Sequence, residues 1–501
     1  MTDILIVGAG PTGLTLATDL ARRGVDHRLI ERDPGPNPTS RAKAIQPRAL
    51  EVLDDLGAVE PVLATGITDL PTRFYDADGT VADRPGIAVP VGDPAGTRYP
   101  SPRWIAQFHV EAALRERLTA SGGRVEYGHE AVALRQNPDG VTVDVATADG
   151  VETVHARYVV AADGGRSPVR KLVGLPLIGT TPGQRWYLGD VRGPGLDRGR
   201  IHIWTSPAGM LGLTPLPGTD IWQFQSAIPG GVGTPPEPAL ELYQAMLDDR
   251  AGAGVVRLTS ATWLSISQVN VRMLERFRDR RVLIAGDAAH VHPPAGGQGM
   301  NTGIQDAYNL GWKLAAVLRG APEDLLETYS DERVPVARAV LDDSSRKMRG
   351  VTTAAMGASG GGLAAALRTM TDDVTTGLPI AYPDSTLTRP GPPSGLPAGS
   401  RAPDTGGLPG GVRVHDLLRG PHWTLLAFTD GPVPIGGGAD LHVHRVTDRS
   451  GETARCYADE WDALVLIRPD GYLAARVPIA GAGHLTAYLD RYRVEHGDEA
   501  R

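Results

Sequence analysis

Four apolar residues in succession, Ile4 to Val7, open the chain. A continuous run of this kind marks a strand buried on both faces of a parallel sheet. The period then changes. Leu14, Ala17, Leu20 and Ala21 recur at helical spacing over Leu14 to Arg23, and Gly24 stops that helix. His27 to Ile30 reads as a second strand and ends in Glu31. Tyr158 to Ala162 and Arg281 to Ala285 repeat the buried-strand pattern far downstream. Between and after them, helices are expected at Gln46 to Leu56, Gln107 to Leu118, Thr302 to Leu318 and Leu325 to Met348. Strands alternating with helices in this way predict an α/β domain with a parallel sheet.

From about 175 to 275 the alternation becomes two-residue, with Gly and Pro turns. Arg200 to Thr205, Met210 to Thr214, Ile221 to Ala227 and Thr262 to Val271 are its strands. The pattern predicts a mostly antiparallel sheet inserted into the α/β domain, which therefore comprises 1–174 and 276–348. Parts of 61–105 join the inserted sheet. Residues 349–411, dense in Gly, Pro and Thr, read as a linker. Residues 412–501 form a small α/β unit with strands at Trp423 to Phe428 and Ala463 to Arg468, and a last helix at His484 to Glu495.

The first strand-to-helix turn carries Gly8, Gly10 and Gly13 in the spacing GxGxxG. Gly8 allows the tight turn, Gly10 lets a pyrophosphate approach the backbone, and Gly13 lets helix and sheet pack closely. The helix start offers free N–H groups to phosphate. Glu31, 18 residues past Gly13, is placed to hold an adenosine ribose. A strand before, a helix after and an acid at this distance make a Rossmann-like dinucleotide site the expectation. Asp163-Gly164 and Gly286-Asp287 each follow an apolar strand too, at the sheet end where open α/β sheets bind ligands. Gly230 to Gly233 runs into Pro235-Pro236 and cannot open a comparable phosphate helix. A second dinucleotide must then visit without a domain of its own.

Composition narrows the partners. A net charge of −8 and a pI near 5.9 give no reason to expect nucleic acid or an anionic membrane. Cys456 stands alone, so neither an internal disulfide nor a CxxC pair is available. A start at Met1 with a strand from about residue 3, and no long uncharged apolar run, predict a soluble cytoplasmic protein. His290 and His292 read as loop residues satisfied by backbone. Without an acidic third ligand they predict no metal site.

Three segments carry a resemblance: GAGPTG at 8–13, YVVAADGGRSPVR at 158–170, and VLIAGDAAHVHPPAGGQGMNTGIQDAYNLGWKL at 282–314. In this order and spacing the chain resembles class A flavoprotein monooxygenases, the group that includes para-hydroxybenzoate hydroxylase. Within that group it is most like bacterial aromatic polyketide hydroxylases and rifampicin monooxygenases. The resemblance implies FAD as the held dinucleotide, with NADPH or NADH as a transient reductant and O2 as co-substrate. It also implies a flavin C4a-hydroperoxide that hydroxylates a phenolic or polycyclic aromatic substrate. Gly10, Thr12 and Gly13 would contact the FAD pyrophosphate, Glu31 the ribose, and Arg32 would lie beside the adenine. Arg41 and Gln107 match positions reaching the ribityl and phosphate groups. Their plainer readings are a surface ion pair and a helix cap. Asp163 and Gly164 match the motif linked to FAD and NAD(P)H. Asp287 would bind the ribityl chain, and is otherwise an N-cap or a solvated turn. Met300 and Asn301 would meet the isoalloxazine through backbone N–H groups.

Gly296, Gly297 and Gly299 allow the backbone to approach a flat ring. A helix N-terminus behind them would stabilise the anionic reduced flavin. Pro294 would border substrate and flavin. Trp222, Phe224, Leu211 and Leu213 are candidates for the pocket wall or for plain core. No side chain is assigned as catalytic acid or base. LVLIRPDGYLAAR, 464–476, resembles the thioredoxin-like terminal domain of the larger aromatic hydroxylases, here without redox cysteines. The expected partners are a small aromatic substrate and a second copy in a homodimer. Baeyer–Villiger oxygen insertion on a polyketide ketone stays open as an alternative, as does an FAD-holding protein without catalysis. The WxWxIP motif of flavin-dependent halogenases is absent.

Overall fold

In the computed structural model the strand Thr2–Val7 lies at the centre of the first sheet. The structure describes residues 1–492 except 77–78, 80, 87–95, 207–208, 230–232, 294, 357–365, 367–371, 392–394 and 459. The expectations for Pro294, for Gly230 to Val232 and for 493–495 fall outside the described residues.

Thr2–Val7 pairs in parallel with Gly150–Ala161 on one side and His27–Glu31 on the other. Val282–Ile284 and Val125–Tyr127 extend the sheet outward, again in parallel. Ile4, Leu5 and Ile6 are fully buried, as a run covered on both faces must be. The registers end together: Val7 stands opposite Ala161 and Ile30, and Ala161 opposite Ile284. The loops after Val7, Ala161 and Ile284 therefore leave the sheet at one edge.

Two helices cover this edge. Pro11–Arg22 and Gln298–Leu318 run side by side, Thr12 against Gly303 and Asp19 against Gly311. A Cβ at Gly303 would sit 2.3 Å from Thr12 Oγ1, and one at Gly311 2.2 Å from Asp19 Oδ2. The matching order of these contacts makes the helices parallel, so both N-termini open at the same end.

The second large sheet has the order Ser260–Gln268, Arg185–Arg192, Trp222–Ile228, Gly209–Pro215, Ile201–Ser206, Thr72–Tyr75, Val81–Arg84. It is antiparallel except where Ile201–Ser206 meets Thr72–Tyr75. One face packs under the helix Leu240–Ala251, burying Trp222, Phe224, Leu211, Leu213 and Tyr243. The other face turns toward the first domain and packs on Ala44, Trp104 and Met348.

The helix Glu327–Met356 runs into the segment expected to be a linker. That segment is fastened in its described parts. Arg333 donates to Tyr382 Oη at 2.9 Å, Ser385 Oγ donates to Glu332 at 2.6 Å, and Arg401 pairs with Glu51 at 3.0 Å. The terminal sheet runs Leu441–Val446, Trp423–Phe428, Ala463–Ile467, Leu473–Pro478, its first pair parallel and the rest antiparallel. Arg468 and Asp470, in the turn of the 464–476 motif, reach back into the first domain. Arg468 donates two hydrogen bonds to Glu332, at 2.6 and 2.9 Å, and Lys313 donates a third at 2.7 Å. All four side chains are buried.

Candidate functional site

The glycine turn shows what the expected spacing is for. Gly8 has a φ of +102°, and a Cβ there would lie 2.5 Å from the Ala162 carbonyl oxygen. A Cβ at Gly13 would come within 1.9 Å of the Gly8 oxygen. Both glycines are required by close packing inside the protein. Gly10 differs: a Cβ there meets nothing within 4 Å. The turn faces open space at Gly10, at the start of Pro11–Arg22, a helix whose first turn has no side-chain cap. Free N–H groups beside an open cradle suit a phosphate. Glu31 accepts the Ala9 N–H at 2.8 Å and the Asp33 N–H at 3.0 Å, which holds its carboxylate against the turn. Arg32 lies exposed beside it, 3.9 Å from Asp33.

The other loops close around the same space. The first abuts Asp163, whose Cα lies 2.8 Å from the Gly8 Cβ position. Asp163 Oδ2 accepts the Val169 N–H at 3.1 Å; its Oδ1 is buried without a partner. Burial holds this carboxyl above the usual range. Gly164 has a φ of +79° and open space at its Cβ position. Gly165 in turn faces Val291, 3.0 Å from its Cβ position. Thr12 touches Gly286 as well as Gly303. Residues 8–13, 163–165, 286–292 and 299–303 thus form one lining.

Asp287 is exposed, and its carboxylate takes no hydrogen bond from the described residues. It therefore acts neither as an N-cap nor in an Asx turn. Its Oδ1 lies 3.6 Å from the Gly299 Cβ position, and His292 Nε2 lies 3.7 Å from the same point. His292 Nδ1 is bonded to the Pro293 carbonyl at 2.8 Å, leaving Nε2 buried without a partner. Burial holds this imidazole below its usual pKa, in the neutral form. His290 departs from expectation. Its partner is a carboxylate, Asp306, at 2.7 Å, and both side chains are fully buried. Burial raises the Asp306 carboxyl, but Arg333 and His290 outweigh this and hold it at about 2. Asp306 also accepts the Gly286 N–H at 3.1 Å, so it braces the loop from behind.

The helix that follows this loop begins at Gln298, earlier than its sequence pattern indicates, because Gly297 adopts a φ of +63° and starts the turn. Gly299, Met300 and Asn301 lie in its first turn, where the N–H groups of Gly299 and Met300 lack helical acceptors. The Asn301 side chain has a separate task. It accepts the Gln46 N–H at 2.8 Å and donates to the Gly297 and Ala44 carbonyls at 2.7 and 3.2 Å. It thereby ties the strap 40–46 to the helix end. Gln107 ties down the other end. Its Oε1 accepts the Ala42 N–H at 3.1 Å and its Nε2 donates to Glu111 at 2.8 Å. The cap position belongs to Ala106, so Gln107 is not the cap. Burial lifts the Glu111 carboxyl to about 7. Arg41, on the strap, is exposed and makes no ion pair among the described residues.

The strap crosses the inner face of the large sheet. The residues there are Asp190, Thr214, Gln223 and Gln225, alternating with the apolar set on Trp222–Ile228 and Gly209–Pro215. Trp222, Phe224, Leu211 and Leu213 are no more than 2 % exposed and pack under the helix Leu240–Ala251, away from the strap. Of the two readings of these residues, pocket wall or plain core, their burial under this helix fits plain core. Both faces of this sheet are covered, and the inner one, which mixes these polar side chains with Trp186, Ile203 and Met210, meets the strap.

The open Gly10 cradle, the unengaged Asp287 carboxylate and the two uncapped helix starts fit a dinucleotide with a flat ring. Comparison with known proteins agrees. The FAD binding domain model matches residues 1–344, and the model for the C-terminal part of aromatic-ring hydroxylases matches 396–493. A flavin-dependent monooxygenase of Mycobacteroides abscessus is 41% identical over 94% of this chain and 96% of its own. The 6-methylpretetramide 4-monooxygenase of Streptomyces rimosus is 35% identical over 99% of this chain and 95% of its own. Among solved structures, the flavin-dependent monooxygenase PieE, in complex with FAD and substrate, superposes with a TM-score of 0.84 at 25% identity, covering 99% of each chain.

Proposed function

Since the chain belongs to the FAD-dependent aromatic-ring hydroxylase family, we propose that it oxidises a phenolic, polycyclic aromatic compound of polyketide type, consuming NADPH or NADH and O2. The observation that carries this reading is the convergence of 8–13, 163–165, 286–292 and 299–303, joined through the strap 40–46 to Gln223 and Gln225 of the large sheet. A relative named for action on 6-methylpretetramide supports the polycyclic substrate class.

Bound FAD would supply electron transfer from the nicotinamide and oxygen activation at its C4a position. The residues supply the setting. Gly10, Thr12 and the first turn of Pro11–Arg22 would hold the pyrophosphate, with Glu31 and Arg32 at the adenosine end. Arg41 and Gln107 would reach the ribityl and phosphate region. Asp287 would accept hydrogen bonds from ribityl hydroxyls. The first turn of Gln298–Leu318, with Gly299, Met300 and Asn301, would direct N–H groups at the ring edge where negative charge gathers on reduction. Asp163 and Gly164 border the approach of the nicotinamide. Neutral His292, with its lone pair turned inward, adds an acceptor without adding charge.

The test is a screen of polycyclic phenols against NADPH consumption and oxygen uptake by the yellow holoprotein, with mass spectrometry of products. The expected result is phenol-stimulated NADPH oxidation and a product heavier by one oxygen atom on an aromatic carbon. A holoprotein whose NADPH oxidation no phenol accelerates would overturn the reading. An oxygen inserted beside a ketone would redirect it to Baeyer–Villiger chemistry.

A further inference from the structure

Lys43 is one of four lysines in the chain. Two others are buried, and each has a carboxylate partner. Lys313 lies 2.7 Å from Glu332, and Lys347 lies 2.6 Å from Asp343 and 2.8 Å from Asp372. Lys43 sits on the strap, under the inner face of the large sheet. Its Nζ donates to Gln225 Oε1 at 2.9 Å and Thr214 Oγ1 at 3.2 Å, both neutral. No carboxylate lies within ion-pair distance among the described residues.

The surroundings fix this ammonium in place. Gln225 Nε2 donates to Gln223 Oε1 at 3.2 Å, and Gln223 Nε2 donates to the Ser40 carbonyl at 2.6 Å. Asp190 Oδ2 accepts the Ser40 N–H at 2.8 Å, and its Oδ1 is buried without a hydrogen-bond partner. Its charge reaches Lys43 only at longer range. An ammonium has three donors, and two are engaged. Lys43 is half-buried, so its ammonium keeps only part of its hydration, and neutral hydrogen-bond partners do not offset the rest as an ion pair would. Burial accordingly lowers its pKa to about 8, with Asp190 opposing only in part.

We propose that Lys43 supplies the binding site for the oxyanion of the substrate, a phenolate or vinylogous enolate, and so selects aromatic substrates in their ionised form. This rests on the substrate class proposed above. The ligand's oxygen takes the third N–H of Nζ. Ionisation places electron density on the carbons ortho and para to that oxygen, the positions an electrophilic oxygen attacks. Lys43 is a positioning and specificity residue in this account; no proton or electron is transferred to it.

The test uses the FAD-loaded protein and alizarin, a dihydroxyanthraquinone whose colour changes on ionisation at wavelengths where oxidised flavin does not absorb. Its spectrum is titrated with pH when bound to wild type, Lys43→Met and Lys43→Arg. The expected result is that wild type and Lys43→Arg bind the anion, while Lys43→Met binds the neutral form, with the apparent pKa of bound alizarin raised by about one unit or more. Equal flavin absorbance in all three keeps the comparison free of folding defects. Alizarin bound as the anion with the same apparent pKa in wild type and Lys43→Met would overturn the Lys43 assignment and leave the monooxygenase reading intact. Alizarin that fails to bind a wild type with phenol-stimulated NADPH oxidation would also overturn the assignment. No phenol stimulation at all would remove the substrate class and the assignment together.

Discussion

Gly10 and Gly13 lie three residues apart, yet a methyl group would meet open space at one and the Gly8 carbonyl at the other. Gly10→Ala is therefore expected to melt at the wild-type temperature as apoprotein and to fail to take up FAD, read by flavin absorbance. Gly13→Ala is expected to lose FAD and also about 1–3 kcal/mol of stability, because the backbone of the turn must move. Asp287→Ala should purify colourless or weakly yellow. Full flavin occupancy in that variant would refute the ribityl contact.

Glu111 offers a pH test at the same scale. Its folded pKa of about 7 lies above the unfolded value of 4.5. A raised pKa means stability that is present in full below pH 4.5 and lost as pH rises through 7. The loss amounts to at most about 3 kcal/mol at 1.36 kcal/mol per unit. Glu111→Gln should flatten that loss, so its urea midpoint should gain on wild type between pH 5 and pH 8. A parallel pair of curves would show that Glu111 does not titrate in this range.

At the scale of elements, the helix Gln298–Leu318 and the strap 40–46 act as one unit through Asn301. Asn301→Ala leaves the buried Gln46 N–H without an acceptor, at a cost of about 1–3 kcal/mol. Weaker FAD affinity should accompany the lower urea midpoint. This coupling joins residues 255 apart and has no local signature. The strands around Ile4, Val159 and Leu283 were legible because continuous apolar runs have one stable setting, the middle of a parallel sheet. Trp222-Gln-Phe-Gln225 was legible as a strand but not as a wall. A two-residue period separates two faces without saying which of them a second domain will cover. The apolar residues read as wall or core alike; a helix covers that face, and the glutamines face the strap. Lys43 carried no signal either, since its meaning lies in having neutral neighbours where Lys313 and Lys347 have acids. The early start of the site helix followed from Gly297, whose left-handed backbone no periodicity reveals.

Across the whole molecule, the first domain and the terminal unit share a sealed cluster of Lys313, Glu332, Arg468 and Asp470. Burial lowers Lys313 to about 8 even with Glu332 beside it. Breaking such a cluster from one side strands a charge, at about 3–5 kcal/mol. Arg468→Met should therefore split a single calorimetric transition into two and expose the 372–405 region to limited proteolysis. A single, unshifted transition would show that the units are held by their apolar contacts alone. No described helix is long and apolar enough to cross a membrane.

The same cluster sets an order of assembly. Glu332 leaves the ribosome more than a hundred residues ahead of Arg468. Until that arginine is made, Lys313, Asn309 and Ser385 are the groups that answer the carboxylate, with one cation beside it in place of two. The seam between the first domain and the terminal unit is thus charge-complete only once the 464–476 turn has been translated.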